Sequence, residues 1–183
     1  MAQNDQLFVS WERIHRQALA LASQIAAWGE DLRGLVAVAR GGMIPTAIIA
    51  NHLQMRAVAS VSISSYRCKS RVDLTILNTI DLPDGGAGWV VVDDLADIGR
   101  TAHAIRGLLP RCRFATLYVK PEGQSAVDAF VECIPQQTWI VFPWEVSPEE
   151  AATRVGDAAP RHGLDDQDRG YDRSSEDKNK SEE

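Results

Sequence analysis

The chain has little of several things that would place it in a class at once. Its 183 residues hold three cysteines, Cys68, Cys112 and Cys133. That odd number, without a C-x-x-C spacing, argues against a disulfide scaffold and the common zinc or dithiol motifs, and leaves reduced thiols as the expectation. No apolar run reaches the roughly 18 residues that a membrane-spanning helix needs. The N-terminal "MAQNDQLFVSWER" has no apolar stretch behind a basic start, so a soluble intracellular protein without a signal peptide is expected. A basic patch and a basic–aromatic alternation are both missing, which argues against a nucleic-acid partner. Neither a Walker lysine loop nor G-x-G-x-x-G occurs, so P-loop and dinucleotide chemistry are poorly supported.

What is present suffices for one core. An apolar content of 45% over this length predicts a single domain, residues 1–146. The remainder is compositionally different: residues 147–183 hold 11 acidic and 6 basic side chains, which accounts for most of the chain's net charge of −6. With Val155 and Leu164 as its only large aliphatics, this acidic tail buries too little apolar surface to offset the entropy of ordering, and is expected to be disordered.

Periodicity organises the rest. "SWERIHRQALALASQIAAWGE" places Ile14, Leu21, Ile25 and Trp28 at helical spacings, with Ser10 to cap the start and Gly29 to end it. His15 on this helix has no ligand-type residue four positions on and is given no role. "GLVAVARGGMIPTAIIANHL" reads as a strand, a glycine-rich turn and a helix, the opening of a parallel βαβ unit. "AVASVSI" is a second strand, followed from Ser64 to about Gly88 by a polar stretch long enough for a functional flap. "GWVVV" is a third strand, "TAHAIRGLLP" its helix, and "RFATLYV" and "WIVF" are further strands, with a short helix expected in "SAVDAF". Strands alternating with helices predict an α/β fold with a mostly parallel central sheet flanked by helices.

The chemistry concentrates in "VVVDDLADIGRT". Ligands of such sheets bind beyond the carboxyl ends of the strands, where Asp93, Asp94 and Asp97 would lie. Backbone N–H groups of a turn at Gly99, leading into a helix, suit a phosphate monoester. Asp93 and Asp94 can accept hydrogen bonds from vicinal hydroxyls and hold a hard metal through its water shell. Diol, metal and phosphate together describe a ribose 5-phosphate. Capping or solvated aspartates are the plain alternative, which two acids behind four buried apolar residues and before D-x-G-x-T make less attractive.

These motifs, with "GLVAVARGG", "SISSY", "YVKPEG" and "IPQQTWIVFPWE" in order between about Phe8 and Glu145, resemble the type I phosphoribosyltransferases, and within them the bacterial xanthine-guanine branch. The resemblance implies a type I phosphoribosyltransferase fold with a small hood. It implies transfer of phosphoribosyl from phosphoribosyl pyrophosphate (PRPP) to N9 of a 6-oxopurine in purine salvage, with Mg2+ and release of pyrophosphate. It also implies a cytoplasmic homodimer or homotetramer with no integral membrane segment, peripheral membrane association resting on the resemblance alone. Carried over by residue, Arg40 and Gly41 hold pyrophosphate, and Asp93 and Asp94 take the ribose and metal, in part through water. The loop Asp97, Ile98, Gly99, Arg100 and Thr101 cradles the 5′-phosphate, and Asp97 acts near purine N7. Lys120 donates to the 6-oxo group, Trp139 stacks on the base, and the Ile140 backbone reads its edge.

The pattern is broken in places. Ile98 stands where a threonine is usual, Arg100 replaces a glycine, and "VSPEEAATRV" abandons the family's apolar ending. In the flap, Lys69 and Arg71 are candidate pyrophosphate contacts, with Val72 at the family's basic position. The alternative function that these departures raise is a catalytically weak PRPP- or nucleotide-binding regulator of the same fold.

Overall fold

The computed structural model describes residues 5–29, 31–68, 71–78 and 80–145, without the side chains of 64–68 and 71–73. The acidic tail, "VSPEEAATRV", Lys69 and the side chains of Arg71 and Val72 therefore lie outside the described residues. In chain order the elements are β1 (Gln6–Phe8), α1 (Trp11–Ala26), β2 (Gly34–Ala39), α2 (Met43–His52), β3 (Val58–Cys68) and β4 (Arg71–Ile76). They continue with β5 (Trp89–Ala96), α3 (Arg100–Leu108), β6 (Arg113–Val119), β7 (Ala129–Cys133) and β8 (Trp139–Val141).

Six strands form one sheet in the order β4-β3-β2-β5-β6-β7, parallel except for the edge strand β4. Alternation along the buried strands feeds two cores. Val90 and Val92 of β5 join Leu35, Ala115 and Leu117 under α1 and α2, whereas Val91 joins Val36, Val38 and Phe114 under Ala102 and Ile105 of α3. A strand covered on both faces has no solvent side, which is why "WVVV" runs apolar without interruption. The first helix begins as its sequence predicts, with the Ser10 hydroxyl accepting from the Arg13 N–H at 3.2 Å. Among the described residues no helix is long and apolar enough to cross a membrane.

Three segments differ from the sequence reading. The polar stretch after Ser64 is largely a β-hairpin: β3 runs on to Cys68 and pairs antiparallel with β4 from Ile63↔Ile76 to Cys68↔Arg71. The alternation in "RVDLTI" is the signal for that partner strand. "SAVDAF" is no α-helix; a 3₁₀ segment over Pro121–Ala126 gives way to β7. Asp128 decides the switch, since its carboxylate accepts from the Phe114 N–H at 2.6 Å and from Arg106 at 2.7 Å, tying the start of β7 to β6 and α3. Finally, Gln6–Phe8 is a strand, paired parallel with β8 in a separate two-stranded sheet. This is the small hood. It is fastened by aromatic contacts: Phe142 stacks on Trp144 at 4.8 Å, packs edge-on against Tyr118 at 5.8 Å, and Trp144 meets Trp11 at 5.9 Å.

Candidate active site

The sheet order reverses between β2 and β5, so the loops after these adjacent strands leave in opposite directions and open a crevice at their carboxyl ends. From β2 come Arg40, exposed, and Gly41 with Gly42. From β5 come Asp93 and Asp94. The two glycines let the loops touch: a Cβ on Gly41 would run into the Asp94 carboxylate, and one on Gly42 would collide with the Val92 carbonyl and lie 2.9 Å from the Val38 carbonyl. Gly42 is thus a packing requirement of the crevice, and Gly41 leaves room for the Asp94 carboxylate.

Asp93 is 7% exposed and accepts the Asp94 N–H at 3.0 Å. Burial, then the neighbouring Asp94, pushes its carboxyl well above the usual range. Asp94 is pushed up to about 6, chiefly by burial. Two desolvated carboxyls side by side make a site poised for hydroxyl donors or a cation. Among the described residues no three His, Cys, Asp or Glu converge as a metal cage. The donor set still fits Mg2+, which commonly binds one or two carboxylates and completes its shell with water and substrate oxygens.

Beyond β5 the chain turns at Gly99, whose φ of +75° favours glycine and whose Cβ would sit 2.6 Å from that of Ala126. Gly99 caps α3 with no side-chain cap bond, and the first turn borders a cleft lined by Asp93, Asp97, Ile98, Gly99, Arg100 and Thr101. All five predicted loop residues line this cleft. Ile98 is 40% exposed, an apolar side chain held at the mouth rather than in a core.

Asp97 projects from the same loop and forms an ion pair with Lys120, Oδ1 to Nζ 3.1 Å. The Lys120 ammonium comes from the end of β6 and is 7% exposed, so the pair supplies the compensation a buried charge needs. Gln136, which lies in "IPQQTWIVFPWE" but has no role in the sequence reading, donates to the same Oδ1 at 3.0 Å. An uncharged side chain between two strands of different sheets has no periodic signature; only the fold reveals it. Trp139 is 56% exposed on the hood and the adjacent Ile140 is buried. A core role for Trp139 is therefore excluded, and its ring is free to cover a ligand.

The structure thus brings Gly41 to Asp94 and Lys120 to Asp97, with Arg40 exposed next to Gly41 in the same loop. Known proteins match this chain closely. The model of the phosphoribosyl transferase domain matches residues 10–151. A xanthine-guanine phosphoribosyltransferase of Chromohalobacter salexigens is 43% identical over 143 residues, covering 78% of this chain and 86% of its own. That of Desulfotalea psychrophila is 41% identical over 149 residues, covering 81% and 91%. Among solved structures, the xanthine-guanine-hypoxanthine phosphoribosyltransferase of Helicobacter pylori superposes with a TM-score of 0.68 at 27% identity, covering 81% of this chain and 99% of its own. A purine phosphoribosyltransferase of Pyrococcus horikoshii gives 0.66 at 26% identity, covering 79% and 97%.

Proposed function

The chain belongs to the phosphoribosyl transferase family, and from that premise we propose that it is a purine phosphoribosyltransferase that transfers phosphoribosyl from PRPP to N9 of a 6-oxopurine. The observation that carries this reading is the meeting of the Arg40–Gly41 loop with Asp93 and Asp94 at the point where the sheet order reverses. The catalytic domain is read as residues 1–146, with 147–183 as an acidic extension. A cytoplasmic homo-oligomer completes the reading, and exposed Phe8 and Trp11 supply apolar surface that association would cover.

In the reaction the bond from ribose C1′ to the pyrophosphate oxygen breaks, the bond from C1′ to N9 forms, and the purine loses one proton. The transition state gathers positive charge on the sugar and negative charge on the leaving group. Arg40 and the Gly41 N–H receive pyrophosphate. Asp93 and Asp94 hold the ribose hydroxyls. Mg2+, held by this pair partly through water, would neutralise charge on the departing pyrophosphate. The first turn of α3 binds the 5′-phosphate through backbone N–H groups. N7 and O6 are neighbouring polar atoms on one purine edge, and the Asp97–Lys120 pair presents a carboxylate beside an ammonium. Asp97 accepts the N7 proton of the tautomer whose N9 carries the lone pair, Lys120 donates to O6, and Trp139 stacks on the ring.

Base choice tests this assignment. Lys120 is a donor without acceptor capacity, so guanine, xanthine and hypoxanthine should release pyrophosphate from PRPP, whereas adenine and orotate should not. Adenine turnover equal to that of guanine would overturn the role of Lys120.

The phosphate loop gives a second test. Loss of the usual threonine hydroxyl at Ile98 costs one hydrogen bond to a charged group, roughly 1.5–3 kcal/mol if nothing compensates. With Arg100 offsetting part of that cost, since a guanidinium grips phosphate through two donors, Ile98→Thr is expected to tighten PRPP binding modestly, by up to about tenfold, and Arg100→Gly to weaken it. Titration calorimetry with PRPP and Mg2+ measures both, and unchanged affinity in both variants would remove these side chains from the phosphate site.

A further inference from the structure

Gln136 lies between β7 and β8, inside the "IPQQTWIVFPWE" segment that carries part of the resemblance, where the sequence reading gives it no role. Its Oε1 accepts from the Glu122 backbone N–H at 3.1 Å. That N–H can only donate, so the oxygen end of the amide must face it and the nitrogen end must face Asp97. Nε2 accordingly reaches Asp97 Oδ1 at 3.0 Å, with the Asp97 carbonyl at 3.5 Å. Lys120 Nζ meets the same Oδ1 at 3.1 Å.

We propose that Gln136 is a positioning residue for phosphoribosyl transfer, clamping Asp97 through Oδ1 so that Oδ2 is the oxygen presented to purine N7. The proposal rests on the role given to Asp97 above. The Asp97 side chain is 54% exposed, at the tip of a strand-to-helix loop. Alone it would rotate freely about two bonds. Two donors on one oxygen fix the carboxylate plane, and a misplacement of about 1 Å at a reacting group can cost about a hundredfold in rate. Gln136 also stands three residues before Trp139, so one amide ties the chain bearing the stacking ring to the residue that handles the N7 proton. The Lys120 ammonium can then turn towards O6 without releasing Asp97, because the second donor keeps hold of it.

The test compares kcat, KM and melting temperature for Gln136→Glu and Gln136→Ala, each in the native and Asp97→Asn backgrounds. Glutamate keeps the shape and the acceptor for the Glu122 N–H but sets a carboxylate against Asp97. A role limited to holding the Glu122 N–H would survive that change. We expect Gln136→Glu to lower kcat about 10- to 100-fold and Gln136→Ala about 3- to 10-fold, with KM for PRPP nearly unchanged. In the Asp97→Asn background, itself slow, Gln136→Glu should cost less than about threefold, because the group it positions is gone. Native kcat in Gln136→Glu, or an equal loss in both backgrounds, overturns the proposal while leaving the Asp97 assignment intact. Full activity in Asp97→Asn alone overturns both. Should the glutamate variant fail to fold, Gln136→Ala carries the same comparison.

Discussion

Asp93→Asn and Asp94→Asn are each expected to make the ligand-free protein more stable at neutral pH while removing most of its Mg2+-dependent affinity for PRPP. Both carboxyls have folded pKa values above the unfolded one of 3.8, Asp93 well above and Asp94 at about 6. The folded state therefore holds protons more tightly than the unfolded chain. Stability from this source is complete below about pH 4 and is lost as pH rises through about 6 for Asp94 and higher for Asp93. For Asp94 a shift of about two units sets a ceiling of about 3 kcal/mol, and coupling to Asp93 makes about 1–2 kcal/mol the realistic gain for its substitution. That corresponds to about 2–8 °C in melting temperature at pH 7.5, shrinking towards zero at pH 4. Asparagine keeps the Oδ1 acceptor that Asp93 offers to the Asp94 N–H, so local geometry survives. Affinity should nonetheless fall at least tenfold, or about 1.4 kcal/mol, because a neutral amide cannot balance a divalent ion. A melting temperature below the native one at pH 7.5 would show that the carboxylates stabilise the fold, contrary to this account.

The second large effect separates two adjacent glycines. Gly42 has φ −71° and ψ −10°, a conformation that alanine adopts readily, so no backbone penalty attends Gly42→Ala. The loss is purely steric. The new methyl meets the carbonyls of Val92 and Val38, fixed parts of two paired central strands, and relief requires the strands or α2 to move. Overpacking of this kind costs typically about 1–3 kcal/mol, and the rigidity of the neighbours puts this case at the upper end or beyond. Denaturant unfolding should show a clear drop in midpoint. Gly41→Ala meets only the end of the Asp94 side chain, which can rotate away. That variant should keep nearly native stability and lose PRPP binding. Comparable unfolding midpoints for the two would contradict the contact geometry.

Much of this was legible before any coordinates. The helix from Trp11, the βαβ opening around "GLVAVARGG" and the buried strand before the aspartates were readable because hydrophobic period and capping residues are local signals. The same holds for the turn at Gly99, where a glycine between a strand and a helix marks a tight connection at positive φ. Segments shaped by distant partners were not readable. Gln6–Phe8 is too short to declare itself, and is a strand because β8 offers it hydrogen bonds. "SAVDAF" has the composition of a helix, yet Asp128 draws it onto β6.

The site divides along the same line. The sequence by itself singled out the candidate residues: two acids behind an apolar strand, a glycine turn and a lysine at the end of "RFATLYV", because residue type and position after a strand are properties of the chain, and a tryptophan near the end of the core through the resemblance. Only the tertiary structure decided how they face one another. The reversal of strand order between β2 and β5 brings Arg40 and the acids to one crevice although more than fifty positions separate them. The fit of Gly41 against Asp94, the pairing of Lys120 with Asp97 and the reach of Gln136 across two loops are distances of a few ångströms between remote residues. Such distances follow from packing, and no local periodicity encodes them.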